Sequence, residues 1–272
     1  MRFGERLTKV VAERGPLCVG IDPHPGLLAS WGLPRDASGL ERFTLTAVEA
    51  LGDSVAVVKP QSAFFESYGS KGVAVLERAI AELRAAGALV LLDVKRGDIG
   101  STMAAYAAAY LDDASPLAAD AVTVSPYLGF GSLSPAIDAA TASGRGVFVL
   151  ALTSNPEGAS VQRASTADGV SVAQSVVDAA AARNAGVTPL GDVGLVVGAT
   201  LGDLGVDLSD LHGPVLAPGF GAQGATVADL RRLFGEELRG VLPTTSRDVL
   251  RHGPETATLR SAVARVKDSL AS

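Results

Sequence analysis

One polar stretch that follows an apolar run carries the residue types best suited to chemistry. Residues 91–102 read LLDVKRGDIGST, so Asp93, Lys95 and Asp98 come at the end of the run GALVLLDV or just beyond it. Buried charge is costly unless it is paired or used. The stretch therefore has two interpretations: a salt-bridge cluster at the end of a strand, or a site where an ammonium group transfers a proton beside a carboxylate.

A second lysine, Lys59, ends the apolar run VAVVK at residues 55–59. The chain has five lysines against eighteen arginines, yet two of the five lysines end apolar runs. Arg keeps its proton near neutral pH, whereas Lys can release it. This choice of Lys favours chemistry over a purely structural ion pair.

The spacing of these residues predicts how their side chains meet. In a strand, side chains at i and i+2 share a face, so Asp93 and Lys95 are predicted to point the same way. Lys59 ends the preceding strand and is expected beside them, with Asp98 in the loop that follows. The sequence therefore predicts an alternating Lys–Asp–Lys–Asp array at the carboxyl ends of two strands.

A glycine-rich turn later in the chain has the composition of a phosphate-binding loop. Residues 216–224 read LAPGFGAQG, and the backbone N–H groups of such a turn can cradle an anion. Arg247 in PTTSRDVL begins a predicted helix one strand later. Loops after the seventh and eighth strands form a recurring phosphate site in barrels. The alternative is an ordinary turn and a surface arginine.

Three further polar residues end predicted strands. Asp22 in CVGIDPHP is suited to accept hydrogen bonds from sugar hydroxyls, or else to cap a helix. Thr153 and Ser154 in LALTSNP are suited to hydrogen-bond a flat heterocycle, or else to form a turn. Either member of this pair remains a candidate for the heterocycle.

Eight apolar runs provide the elements that would position these residues. They lie at residues 17–22, 55–59, 88–94, 120–125, 146–152, 193–198, 213–218 and 239–245. The runs are continuous rather than alternating, as expected for strands that are buried on both faces. Ala-rich helical stretches separate them, which predicts one α/β domain, a single (β/α)8 TIM barrel over residues 1–272. A doubly wound open sheet is the alternative, but no G-x-G-x-x-G fingerprint follows the first strand.

Two connections are long, at residues 23–54 and 153–192, and both follow strand carboxyl ends. We expect them to form long loops over the C-terminal face of the barrel, where active sites of this fold lie.

Composition narrows the class of protein. Of 272 residues, 47% are hydrophobic and 19% charged, which allows a large core, and the net charge of −6 gives no electrostatic footprint for nucleic acid. Cys18 is the only cysteine and is predicted to lie in the core. The three histidines lack the spacing of metal ligands. We expect no metal, no membrane span and a cytoplasmic location, with an amphipathic helix at the N-terminus.

These motifs resemble those of a known family. DVKRGDIGST is similar to the D-x-K-x-x-D-I-x-x-T signature of orotidine 5′-phosphate decarboxylases, APGFGAQG resembles their phosphate loop, and SRDVL resembles the segment of their final phosphate arginine. The resemblance extends in order from CVGIDP to SRDVL, and the long connections look like those of the bacterial subgroup with larger subunits.

The resemblance implies an activity: decarboxylation of orotidine 5′-phosphate to UMP, the last step of de novo UMP synthesis, without a cofactor or metal. Lys95 would donate the proton to the carbon that loses carbon dioxide, and Asp93 would lie beside the departing carboxylate. Lys59 and Asp98 would complete the charged array.

The same resemblance implies binding roles and a shared site. Asp22 and Lys59 would bind ribose hydroxyls. Ser154 would bind the pyrimidine, although the context TSNPEG departs from the family pattern and leaves Thr153 open. The remaining residues implied by the resemblance are Gln223 and Arg247 for the phosphate, Gly219 for a backbone contact with it, and Asp98 and Thr102, which would reach into the site of the partner in a homodimer.

Two other functions are compatible with these motifs. Metal-dependent sugar-phosphate decarboxylases of the same barrel group also carry D-x-K-x-x-D, but they place acidic metal ligands near the second strand, where this chain has Lys59. A non-catalytic nucleotide- or phosphate-binding barrel is the third hypothesis.

Overall fold

Eight parallel strands close into a barrel in the computed structural model, which describes residues 1–271. Each strand pairs with the next along the chain, and the eighth pairs with the first. The strands are β1 (Cys18–Ile21), β2 (Val57–Pro60), β3 (Leu89–Arg96), β4 (Ala121–Val124), β5 (Gly146–Leu152), β6 (Val193–Val197), β7 (Val215–Pro218) and β8 (Val241–Thr245). The predicted (β/α)8 fold is confirmed, and the open-sheet alternative is wrong.

Helices surround the barrel and connect its strands. They are α1 (Phe3–Arg14), α2 (Pro25–Ser30), α3 (Ala37–Leu51), α4 (Ser62–Glu66), α5 (Gly69–Ala85), α6 (Gly100–Leu111), α7 (Ser134–Ser143), α8 (Ala159–Gln162), α9 (Val172–Asn184), α10 (Val227–Phe234), α11 (Arg247–Leu250) and α12 (Thr256–Ala271). Two short 3-10 turns cover Phe130–Leu133 and Pro156–Gly158. Over residues 1–271, no helix is both long and apolar enough to cross a bilayer.

The barrel interior is filled by apolar side chains at its amino-terminal end. Cys18, Leu91 and Phe148 belong to this inner cluster, and α1 closes it from below with Phe3 and Leu7. The Phe3 ring meets the Phe148 ring edge to face, with 5.9 Å between centroids. The predicted N-terminal amphipathic helix and the core position of Cys18 are both confirmed.

Two buried carboxylates fix α1 against the barrel. Asp192 accepts hydrogen bonds from the Arg2 side chain at 2.9 Å and from the Gly4 backbone at 3.0 Å. Asp120 pairs with Arg6, with 2.5 Å between Oδ1 and Nη1. With the amino-terminal end closed in this way, the carboxyl ends of the strands form the open end.

The two long connections differ from the predicted long loops because helices occupy much of each. Residues 23–54 include α2 and α3, and residues 153–192 include α8 and α9. In α3, Leu40, Phe43, Ala47 and Leu51 recur at helical spacing and are buried, while Asp36 caps the helix by accepting from two backbone N–H groups. That apolar stripe packs α3 against α5 and α12 on the outside of the barrel.

Candidate active site

A cleft of about 350 Å³ opens at the carboxyl ends of the strands. Its volume is in the range of small-molecule sites. Of the residues that the sequence singled out, nine line it together: Asp22, Lys59, Asp93, Lys95, Thr153, Ser154, Gly219, Gln223 and Arg247. Asp98 and Thr102 are not among the lining residues. The strand ends therefore bring together residues that are far apart in sequence.

Asp93 is the centre of the charged cluster. Its Oδ2 accepts a hydrogen bond from Lys59 Nζ at 2.9 Å, and its Oδ1 accepts one from Lys95 Nζ at 2.6 Å. The side chains of Asp93 and Lys59 are each 7% exposed, whereas that of Lys95 is 45% exposed. Lys95 therefore presents its ammonium group to the cleft while Lys59 stays beneath the surface.

The ion pairs decide the protonation of the two buried groups. Burial acts to raise the pKa of Asp93, but the charges of Lys59 and Lys95 outweigh it and hold that pKa well below its usual range. Burial acts to lower the pKa of Lys59, but the charges of Asp93 and Asp22 reverse this effect and raise it. Both groups are consequently charged at neutral pH.

Within one chain the charged array differs from the predicted sequence of four. Asp98 accepts a hydrogen bond from the adjacent Ile99 N–H at 2.8 Å and lies outside the cleft. Thr102 is exposed in the first turn of α6. The cluster in the chain is instead Asp22, Lys59, Asp93 and Lys95, with 4.0 Å between Lys59 Nζ and Asp22 Oδ1.

Asp22 retains an unused acceptor beside this cluster. Its Oδ1 is buried and has no hydrogen-bond partner among residues 1–271. A buried carboxylate oxygen without a donor is costly, so a ligand hydroxyl at this position would relieve that cost. This arrangement fits the sugar-binding role that the sequence left open for Asp22.

The structure distinguishes Thr153 from Ser154, which both line the cleft. The Gln162 side chain holds Thr153 with both amide atoms: Oε1 accepts from Thr153 N at 2.9 Å, and Nε2 donates to Thr153 Oγ1 at 2.8 Å. Thr153 Oγ1 also donates to Asn155 Oδ1 at 2.6 Å. The backbone N–H and the hydroxyl of Thr153 are thus already hydrogen-bonded within its own loop. This favours Ser154 as the residue that binds a ligand.

The opposite end of the cleft is suited to an anion. Gly219, with a φ of +107°, begins the turn after β7, and the Gly221 position is so close to Asp248 that a Cβ would lie 1.8 Å from its Oδ2. Asp248 also accepts from the Ala222 N–H, which ties this turn to α11. Arg247 begins α11 and pairs with no acidic side chain among residues 1–271. Its charge is available to a bound anion.

Two polar residues that hydrogen-bond to the charged cluster were not predicted from the sequence. Thr123 on β4 donates to Asp93 Oδ1 at 2.7 Å, and Gln61 accepts from Lys59 Nζ at 3.3 Å. The available signal for Thr123 was one hydroxyl in the otherwise apolar strand AVTV. Gln61 lies beyond the apolar run that ends at Lys59, and the sequence gives no signal for its contact with that lysine.

The donor set of the cleft is unfavourable for a metal cation. The Lys59 ammonium lies between the Asp22 and Asp93 carboxylates and repels a divalent ion there. Across residues 1–271, His, Cys, Asp and Glu form no group of three that could hold a metal.

Fold and site together define a (β/α)8-barrel protein with a lysine–carboxylate cluster and an anion-binding end at the carboxyl mouth of the barrel. The model of the orotidine 5′-phosphate decarboxylase / HUMPS family matches residues 15–262. The chain belongs to this family.

Named relatives match along nearly the whole chain. The orotidine 5′-phosphate decarboxylase of Salinispora arenicola is 69% identical over 97% of this chain and 95% of its own. That of Streptomyces coelicolor is 63% identical over the same shares of the two chains. A crystal structure from Streptomyces avermitilis, assigned to the same enzyme, has a TM-score of 0.97 and 62% identity, covering 99% of this chain and 95% of that one.

Proposed function

We propose that this chain is a carboxy-lyase that converts orotidine 5′-phosphate to UMP, the last step of de novo UMP synthesis. The observation that carries the proposal is the cluster in which Lys59 and Lys95 both hydrogen-bond to Asp93 at the floor of the cleft. Relatives that are named as this enzyme are 61–69% identical to this chain over 97–99% of its length.

The proposed chemistry follows from charge placement. The bond between the ring carbon and the carboxylate breaks, its electron pair stays on the ring carbon, and carbon dioxide leaves. The Lys95 ammonium stabilises this carbanion and then gives it a proton, after which solvent reprotonates the amine. Asp93 lies beside the departing carboxylate, so their like-charge repulsion is relieved as carbon dioxide leaves.

Binding of the rest of the nucleotide is assigned along the cleft. Asp22 and Lys59 bind ribose hydroxyls, and Ser154 binds the pyrimidine. Gln223, Arg247 and the Gly219 backbone hold the phosphate. A phosphate held far from the reacting carbon provides binding energy that orients the ring at Lys95.

We further propose a homodimer whose sites are shared. Asp98 and Thr102 lie outside the cleft of their own chain, so they are free to complete the cleft of a second copy. Three large apolar side chains are exposed nearby, Ile99 (62%), Tyr127 (79%) and Leu128 (52%). Ile99 follows the end of β3 in the chain, and Tyr127 and Leu128 follow the end of the neighbouring strand β4. Exposed apolar side chains of this kind mark interaction surfaces, and a second copy would cover them.

A cytoplasmic location is also proposed, because a phosphorylated nucleotide does not cross membranes freely. The two alternative functions are less well supported. A metal-dependent sugar-phosphate decarboxylase would need acidic ligands where Lys59 stands. A non-catalytic barrel would leave the exposed ammonium of Lys95 without a use.

The test is turnover of orotidine 5′-phosphate, followed by ultraviolet absorbance and by chromatographic detection of UMP, with and without a metal chelator. We expect UMP and carbon dioxide in equal amounts and no effect of the chelator. Loss of activity on chelation would favour the metal-dependent alternative. Tight UMP binding without carbon dioxide release would favour the non-catalytic one.

A further inference from the structure

Thr123 lies between the two groups that the proposed reaction uses. We propose that Thr123 is a positioning residue for decarboxylation, because its hydroxyl fixes the backbone of Lys95 and the carboxylate of Asp93 relative to each other. This inference rests on the proposed function and adds to it a residue on β4 that acts through its neighbours on β3.

The contacts of Thr123 are specific and buried. Its Oγ1 accepts a hydrogen bond from the Lys95 backbone N–H at 3.0 Å and donates one to Asp93 Oδ1 at 2.7 Å. Thr123 is 1% exposed, so water does not compete for these bonds. One hydroxyl therefore joins the backbone of one residue of the cluster to the side chain of another.

The register of the two strands explains why a side chain is needed here. Between β3 and β4 the pairing shifts from Leu92 opposite Val122 to Arg96 opposite Val124. Three residues of β3 thus face Thr123 alone, which is a β-bulge. Bulges interrupt the backbone ladder and redirect side chains, and they are common next to active sites.

Lys95 lies at the end of this bulge in a rare conformation. Its φ is +46°, in the left-handed region that non-glycine residues seldom adopt. Such a conformation persists only where the surroundings hold it in place. The Thr123 hydroxyl is the acceptor that the interrupted ladder does not supply, and so it holds the Lys95 backbone in this conformation.

The chemistry of the partners fixes the direction of both bonds. A backbone N–H only donates and an ionised carboxylate only accepts, so the Thr123 oxygen must accept from Lys95 and donate to Asp93. Asp93 Oδ1 then accepts from both Thr123 and the Lys95 ammonium. The hydroxyl closes a ring that runs through the Lys95 backbone, its side chain and the Asp93 carboxylate.

Loss of the hydroxyl is expected to loosen this ring rather than the fold. Val has nearly the shape of Thr but offers neither hydrogen bond, so Thr123→Val removes both bonds and preserves the packing. A displacement of the reacting ammonium by about 1 Å can lower a rate by about 10²-fold. Remote contacts with the phosphate and ribose are untouched.

The experiment compares Thr123→Val with Thr123→Ser, which keeps the hydroxyl and loses only a methyl group. We expect kcat of Thr123→Val to fall about 10–100-fold, with KM and the UMP dissociation constant changed by less than about threefold. Thr123→Ser should recover most of the wild-type kcat. This split between kcat and KM, with rescue by Ser, is not expected of a residue that only supports the fold.

Thr123→Ala paired with Thr123→Ser gives the same comparison if the Val variant does not fold. Wild-type kcat in Thr123→Val, or in Thr123→Ala, would overturn the assignment. Equal losses of kcat in the Ser variant and in the variant without a hydroxyl would overturn it too, because the methyl group would then be what matters. Wild-type protein is assayed in parallel: an inactive wild type overturns the proposed function and this inference together, whereas an active wild type with an unimpaired Val variant overturns only this inference.

Discussion

The Lys95 ammonium lies 2.6 Å from the carboxylate of Asp93, which precedes it by two residues on the same strand, β3. Two features of the backbone produce this contact. Side chains at i and i+2 share a face of a strand, and the backbone of Lys95 has a φ of +46° where the pairing with β4 shifts before Arg96. The cation therefore reaches the cleft while a fixed anion holds it from one side, as a positioned proton donor requires.

Replacing Lys95 tests its proposed role directly. Lys95→Ala should lower kcat by about 10²–10⁴-fold or more, since it removes both a proton donor and a stabilising charge. Lys95→Arg should fail as well, because a guanidinium keeps its proton. Since the Lys95 side chain is 45% exposed and the pair of Lys59 with Asp93 remains, both variants should fold. Turnover near the wild-type rate in either purified, folded variant would rule out the proton-donor role.

Much of this arrangement could be predicted from the sequence, because it depends on local periodicity. Continuous apolar runs between helical stretches predict buried parallel strands, and i and i+2 spacing predicts that Asp93 and Lys95 meet. Three features could not be predicted. They are the left-handed backbone of Lys95, the contacts of the Thr123 hydroxyl and the hydrogen bonds between Gln162 and Thr153. All three depend on how separate segments of the chain meet in the folded structure. The helix α3 occupies part of a connection that was predicted to be a long loop, although its apolar residues recur at helical spacing.

The buried ion pair predicts a defined pH dependence of stability. Removing one partner of a buried pair costs about 3–5 kcal/mol, so Asp93→Asn should lower the free energy of unfolding by that amount at pH 7. The pKa of Asp93 is lowered in the folded chain, so its contribution is present above the unfolded value of about 3.9 and is lost as pH falls through the folded value. The difference between wild type and Asp93→Asn should therefore be constant from pH 7 to about pH 5 and narrow below about pH 4.

Urea unfolding at several pH values measures this difference. Asp138→Asn is the matched control, because Asp138 pairs with Arg183 at 2.8 Å on the surface, with its side chain 65% exposed. Exposed pairs contribute about 0–1 kcal/mol, so that variant should unfold almost as wild type does. An equally small loss in Asp93→Asn at pH 7 would contradict a stabilising role for the buried pair.

Arg247 predicts a difference between ligands with and without a phosphate. Arg247→Ala should weaken UMP binding by about 1.5–3 kcal/mol, the usual contribution of a hydrogen bond to a charged group. Binding of uridine, which lacks the phosphate, should change little. Calorimetric titration gives both constants, and Arg231→Ala on α10, which does not line the cleft, controls for a general loss of positive charge. Equal weakening of UMP and uridine would show that Arg247 does not act on the phosphate.

If Ser154 binds the pyrimidine, its loss should weaken ligands that contain a pyrimidine and spare those that have only the sugar phosphate. Ser154→Ala should weaken UMP binding by about 1–3 kcal/mol, since a ring polar group would lose its partner. Ribose 5-phosphate has no pyrimidine, so its affinity as a competitive inhibitor should be unchanged. Ser160→Ala is the control, because Ser160 lies on α8 outside the cleft and donates to the Glu157 carbonyl. A loss of ribose 5-phosphate affinity as large as the loss of UMP affinity would show that Ser154 does not act on the pyrimidine.

The shared site is tested by mixing two inactive homodimers, Lys95→Ala and Asp98→Ala. If Asp98 serves the neighbouring subunit, a mixed dimer collects both defects in one site and none in the other, since two-fold symmetry makes each subunit give its partner the same groups. Random exchange of equal amounts makes half of the dimers mixed, so about a quarter of all sites should recover wild-type turnover. If Asp98 serves its own subunit, no mixture can assemble an intact site. Subunit exchange is verified with a mass tag on one variant, and exchange without recovered activity would leave Asp98 as a residue of its own loop only.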